Sequence, residues 1–300
     1  MEQIRTITRE LATGPQAVLQ VEGRSGEVVV VAHDLPTVHV EATVRVWSAL
    51  AVEADDAAAL VERAIEQDGH RATVRAPSLP QSEGWALWGR RSGRIDYRIK
   101  VPQETAVRVL SRSGRVEVRQ THGRVQVECG SGRIELTEIV GAVTAASRSG
   151  AINVRAIAGD LSLEARSGRV EVREVIGRVD IDNRTGAVDV REVRGDVKVR
   201  ARTGIVSVQQ VDGTVDIETH TGTARYSGRV CGDITIRAHT GSIVLAADPA
   251  HPFFVDAESS LGIVRSELTP RPRVGGGTSS ERGPRVRLRT HTGAIRITRL

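Results

Sequence analysis

The chain has 300 residues, 39% of them hydrophobic but only 2% aromatic, so any core must be built from Val, Ile, Leu and Ala rather than from large rings. Its 42 basic and 37 acidic residues leave a net charge of +5, which permits contact with anionic polymers without requiring it. Two cysteines, Cys129 and Cys231, exclude a disulfide framework, and no apolar run approaches the roughly 18 residues of a membrane span.

Residues 1–18 are expected to be an N-terminal extension; they contain no apolar stretch of the secretory type, so a cytoplasmic location is expected. From 19 to 300 the sequence reads as one β-solenoid domain. Its early part, "GRSGEVVVVAHDLPTVHVEATVRV" (23–46), has the alternation of strands in wide coils. At 51–69 the pattern changes, because Ala54, Ala57, Ala58, Val61, Ala64 and Ile65 share one helical face up to Gly69. A helical insert is predicted there. Residues 77–91 form a loop holding Trp85 and Trp88. It either folds over an edge of the solenoid or anchors a partner.

Regular coils run from 114 to 222. Glycine recurs every nine residues from Gly114 to Gly222, thirteen times in a row, and Gly-x-Val-x-Val/Ile follows most of these glycines. Alternate units differ. Odd ones place an apolar residue seven past the glycine (Ile139, Ile157, Val175, Val193, Val211); even ones place a mostly small residue six past it. The repeat is therefore 18 residues and two strands, stacked so that equivalent positions form columns about 4.8 Å apart. The fold class is all-β: a single-stranded β-solenoid with coils expected to be right-handed, plus one short inserted α-helix. Late coils are predicted at 231–247, 253–268 and 285–300, with a flexible loop at 269–285. The last strand, ending at Leu300, is expected to be an open edge guarded by Arg296 and Arg299.

The stacking places Arg148, Arg166, Arg184, Arg202 and His220 in one corner column. Like charges at that spacing repel by roughly 0.9 kcal/mol even in water. Two readings follow: a solvated corner paired internally with Glu164, Asp182 and Glu218, which is the simpler one, or a stripe that binds a polyanion. Nucleic acid is not the expected partner, because no aromatics are interleaved with the arginines. A second face puts Glu117, Glu135, Glu171 and Asp189 between arginine columns and reads as structural. Ser113, Ser131, Ser149, Ser167, Thr185, Thr203 and Thr221 precede corner glycines, where their hydroxyls are expected to satisfy turn backbone groups.

No metal or cofactor is expected: the corners lack the paired glycines and regular Asp of calcium-binding rolls, and of the eight histidines only His220 and His239 share a column. No catalytic residues are assigned, since no loop interrupts the central coils to shield a carboxylate pair.

The stretch "RIDYRIKVPQETAVRVLSRSGRVEVRQTHGRVQVE" (94–128), with its Tyr97–Pro102 step into Gly-x-Val-x-Val repeats, resembles the bacterial putative-adhesin family with a β-strand repeat domain. The segments at 21–42 and 286–298 match the family's ends, so the resemblance covers roughly residues 19–300. It implies a β-helical domain without a defined biochemical role, often attached to a membrane or wall. The expected function is a non-catalytic interaction module presenting charged faces to a protein partner or an anionic polymer. The alternatives are a bactofilin-like scaffold assembling end to end and a β-helical polysaccharide-active enzyme.

Overall fold

The alternating apolar residues of the N-terminal half fold as strands, but not all of them as coils. The structure, a computed structural model, describes residues 2–47, 51–78, 93–268 and 283–300. It comprises two units, Met1–Ala146 and Ser147–Leu300. In the first, β1 (Glu2–Leu11) pairs antiparallel with β4 (Val38–Trp47) along its whole length. The expected N-terminal extension is thus part of the sheet. Between them in sequence lie β2 (Val18–Ser25) and β3 (Val28–His33).

The helix α1 spans Ala51–Arg63 and buries Ala54, Ala57 and Val61 against β1 and β4. Arg5–Asp55 (2.6 Å) and Arg9–Glu62 (3.4 Å) ion pairs join β1 to α1. The helix stops six residues before Gly69. Ile65–Asp68 is instead a strand, β5, forming an antiparallel hairpin with β6 (Arg71–Arg75) around Gly69, whose φ is +57°. Ile65 falls four residues after Val61 and is buried, so helical spacing continues by coincidence into the hairpin. Both tryptophans of the 77–91 loop lie outside the described residues, as does most of the 269–285 loop.

Parallel stacking begins with β7 (Arg94–Pro102), β8 (Ala106–Arg119) and β9 (Val125–Val140). β2 lies on both β6 and β8, β3 on β7 and β8, and β8 on β9, all parallel; β7 also pairs antiparallel with β4. Tyr97 of β7 is buried, and burial raises its phenol above the ordinary value. The N-terminal unit therefore caps its coils with antiparallel strands and a helix.

In the second unit the regular coils are β10 (Val143–Ala158), β11 (Leu161–Ile176), β12 (Val179–Arg194), β13 (Val197–Asp212) and β14 (Val215–Gly228). From β11 on, each pairs with the next in parallel, residue i on i+18, as in Leu161↔Val179↔Val197↔Val215, and Gly168 of β11 lies against Gly150 of β10. Within one coil, Leu161, Leu163 and Ala165 point inward, then Val170 and Val172, then Val175. Two corners are glycines, Gly168 and Gly177. A third sits at Glu174, whose φ is +56°. The coil thus has a short third side, and the apolar residue seven past the odd glycines is the one that fills it. Gln120, Glu138, Ala156, Glu192 and Gln210 occupy the same left-handed position in other coils.

The last coils are not stacked in sequence order. They comprise β15 (Ile234–Ala247), β16 (Phe254–Leu261), β17 (Val264–Ser266), β18 (Arg285–Thr292) and β19 (Ile295–Arg299). β18 and β19 insert between β15 on one side and β16 and β17 on the other. The expected open edge at Leu300 is therefore wrong, since the C-terminal strand is paired on both sides. Val286, Leu288, Ile295 and Ile297 are essentially fully buried, whereas their partners in 254–266 are Val255, Ala257, Val264 and Ser266, of which only Ala257 is buried. The coil with the better apolar face takes the interior place, and the poorer one is left outermost.

Two substitutions test the coil geometry. A Cβ at Gly186 would stand 1.9 Å from the Gly168 carbonyl oxygen, so Gly186→Ala should cost roughly 3 kcal/mol or more. Gln210 is exposed at φ +53°. Gln210→Gly should raise stability by about 0.5–1 kcal/mol, because a left-handed L-residue costs about 1–2 and the extra glycine entropy only about 0.5–1. Denaturant midpoints of both variants check this.

Candidate functional site: a cationic corner and its groove

Every coil of the second unit turns a corner just before a glycine, and the residue two before that glycine points to solvent. Arg148, Arg166, Arg184, Arg202 and His220 occupy that position on β10 to β14, all exposed. Their order follows from the ladder, because Asn183↔Ala201 and Thr185↔Thr203 bracket Arg184 and Arg202, and Ala201↔Thr219 and Thr203↔Thr221 bracket Arg202 and His220. The column continues through His239, expected beside His220, to His291, which was not expected there. Thr240 pairs with Thr292, which sets His239 of β15 beside His291 of β18. The imidazoles of His220 and His239 stack with centroids 4.9 Å apart and planes 5° apart; those of His239 and His291 stack at 5.2 Å and 11°. The "HTG" triplet at 220, 239 and 291 was the available signal. The inserted β18 is what brings the third one into the column.

None of the four arginines makes an ion pair or side-chain hydrogen bond among the described residues. The expected pairing with Glu164, Asp182 and Glu218 does not form. A groove of about 760 Å³ separates the two rows: Asp182, Arg200, Glu218, Arg237 and Arg289 on one bank, Arg202 and the three histidines on the other. Its floor is the inward column Ala201, Thr219, Ala238 and Thr290, all buried. The arginines of the mixed bank turn to other carboxylates: Arg200 to Asp180 (3.8 Å), Arg237 to Asp216 (3.3 Å), Arg289 to Asp256 (2.6 Å) and Glu258 (3.2 Å).

The other charged face behaves as expected. Arg191 pairs with Asp189 at 2.7 Å and Arg115 with Glu117 at 2.8 Å, and Arg173–Glu171, Arg119–Glu117 and Arg115–Glu135 are also in contact. Charge there is spent within the sheet.

The Ser/Thr column does less than predicted. Of its seven hydroxyls, only that of Ser113 donates to a turn carbonyl, that of Arg24 at 3.3 Å. Two residues earlier, the inward Ser111 and Cys129 reach the turn carbonyls of Ser113 (3.3 Å) and Ser131 (3.4 Å) instead. The threonines at 185, 203, 221, 240 and 292 are exposed beside the Arg/His column. No group of three or more His, Cys, Asp or Glu side chains among the described residues is placed to hold a metal. The stacked imidazole planes, about 5 Å apart, present a row of ring edges and do not converge on one ion as ligands must.

No protein-family model and no curated protein matches the chain. Solved bacterial structures similar to it include a "putative cell adhesion protein" from Clostridium sporogenes and a "putative adhesin" from Bacteroides fragilis. The first is 10% identical with a TM-score of 0.24 over 100% of both chains. The second is 12% identical with a TM-score of 0.25 over 99% of this chain and 97% of that one.

Proposed function

We propose that this chain is a non-catalytic interaction module that lays a linear sulfated or carboxylated polysaccharide along the Arg148–Arg202 column. The observation that carries this reading is the contrast between two charged surfaces of one fold. On the flat arm, Arg115, Arg119, Arg133, Arg173 and Arg191 meet carboxylates within the sheet and Arg169 does not; at the corner, none of the four stacked arginines has an ion-pair partner among the described residues. Repulsion of roughly 0.9 kcal/mol between neighbours at 4.8 Å in water is relieved by a chain of opposite charge. Between Arg148 and Arg202 no Phe, Tyr or Trp is interleaved with the arginines, which favours a glycan over single-stranded nucleic acid there.

A second reading, end-to-end self-association, is favoured by the outermost coil. Among the described residues β16 and β17 have ladder partners on one side only. Phe254, Leu261 and Ile263 there are 38%, 63% and 59% exposed. Unpaired strand edges with apolar side chains invite another strand.

Two measurements separate these readings. Heparin binding by the unmodified chain should weaken as salt rises, and replacing Arg148, Arg166, Arg184 and Arg202 together by Ser should weaken it about tenfold or more, at roughly 0.5 kcal/mol per exposed cation. Unchanged affinity in that variant would overturn the polysaccharide reading. Light scattering over a concentration series tests the scaffold: growth that disappears in Leu261→Lys/Ile263→Lys supports it, and a monomer at all concentrations removes it.

A further inference from the structure

Beyond Arg202 the corner column changes chemistry but not direction. His220, His239 and His291 follow at the same position, stacked 4.9 and 5.2 Å apart and exposed. They form one bank of the 760 Å³ groove, whose remaining lining includes Asp182, Glu218 and the ion-paired Arg200, Arg237 and Arg289. We infer that this groove is the pH-dependent half of the polyanion stripe: it receives the continuing sulfated chain when the three imidazoles take up protons, and lets go of it when they lose them. The inference rests on the polysaccharide reading above and adds its regulation.

Three features lead to it. Histidine is the side chain whose charge ordinarily changes between about pH 5 and 8, so acidification lengthens the cationic row from four positions to seven without moving the backbone. The groups that share the groove with the stack are these. Arg202 continues the row on β13; Asp182 of β12 and Glu218 of β14 stand across the groove without ion pairs among the described residues; Arg200, Arg237 and Arg289 stand there committed to Asp180, Asp216 and Asp256; Glu258 of β16 closes the outer end on Arg289. Finally, imidazolium neighbours about 5 Å apart repel one another, so a polyanion lying along them favours their protonation. By linkage, protonation then favours the polyanion equally.

The direction is definite. A charged imidazole attracts an anion and donates from both nitrogens, whereas a neutral one keeps a single N–H donor and no charge, so affinity rises as pH falls. A sulfated polymer is the probe to use, because its own charge does not change over this range.

The test measures binding of a size-defined heparin oligosaccharide at about pH 8 and about pH 5 at constant ionic strength. It compares the unmodified chain with His220→Asn/His239→Asn/His291→Asn. The unmodified chain should bind about tenfold tighter at the lower pH, while the variant should match it at the higher pH and show no gain on acidification. Calorimetry in two buffers of different ionisation enthalpy should register proton uptake on binding by the unmodified chain and none by the variant. Binding that is equal at both pH values overturns the inference and leaves the arginine reading standing. A gain that survives in the variant also overturns it, assigning the effect to other groups. Failure of the unmodified chain to bind heparin at either pH overturns both. The substituted side chains are exposed, so a lost gain is not a folding defect, and an unchanged denaturant midpoint confirms that.

Discussion

The contact on which the structure depends is the backbone approach at the glycine corners. Successive coils come so close there that a Cβ on Gly168, Gly186, Gly204 or Gly222 would lie 1.7–1.9 Å from the carbonyl oxygen of the glycine one coil before. Each of these glycines also has φ between +136° and +143°. Space and backbone conformation together leave one residue type, and that fixes the register at 18 residues. Fixed register puts like on like. Val179 lies on Leu161 and under Val197, so the narrow core closes largely with aliphatic residues, with Tyr97 and Tyr226 as buried rings. By the same register, the arginines two residues before the corner glycines stand one above another. The cationic column is a consequence of the glycine column.

How a sheet deals with stacked charge depends on where the column lies. On a flat arm, alternate outward residues are neighbours, so a Glu between two arginines can pair within the strand or diagonally, as Arg191–Asp189 and Arg115–Glu135 do. At a corner the chain turns away from its own preceding outward residue. The space opened by that turn is the groove, and it removes Asp182 and Glu218 from reach of the Arg/His column. Spacing in sequence was the same in both places, two residues. The turn decides which pairs form.

The glycine period made the parallel coils, the inward valines and the corner column legible before any coordinates. The third corner was hidden because Gln120, Glu138, Glu174 and Glu192 are not residues that announce a left-handed conformation; the extra apolar residue after them was visible, but its purpose was not. The antiparallel β1 and β4 were hidden for a related reason. Alternation in "EQIRTITREL" and "VHVEATVRVW" specifies a strand with two faces and says nothing of which way its neighbour runs. At the C-terminal end, 253–268 and 285–300 both carry coil patterns, and pattern identifies a coil without placing it. The place was set by comparative burial. Leu288 and Ile297 gain more from two covered faces than their partners Ala257 and Ser266 would, so the later segment lies inside the earlier one and carries His291 into the column.

That inversion bears on why the column ends in histidine. Four stacked arginines already repel through three neighbouring contacts, on the order of 0.9 kcal/mol each before salt screening. Three more permanent charges on β14, β15 and β18 would load the last coils, where the outermost one is itself poorly apolar. Rings that can be neutral relieve this. They stack face to face, as imidazoles without charge do readily, and they contribute contact where guanidinium groups would contribute repulsion. The rings that follow Arg202 in the column thus add stacking contact next to the coil with the least buried apolar surface.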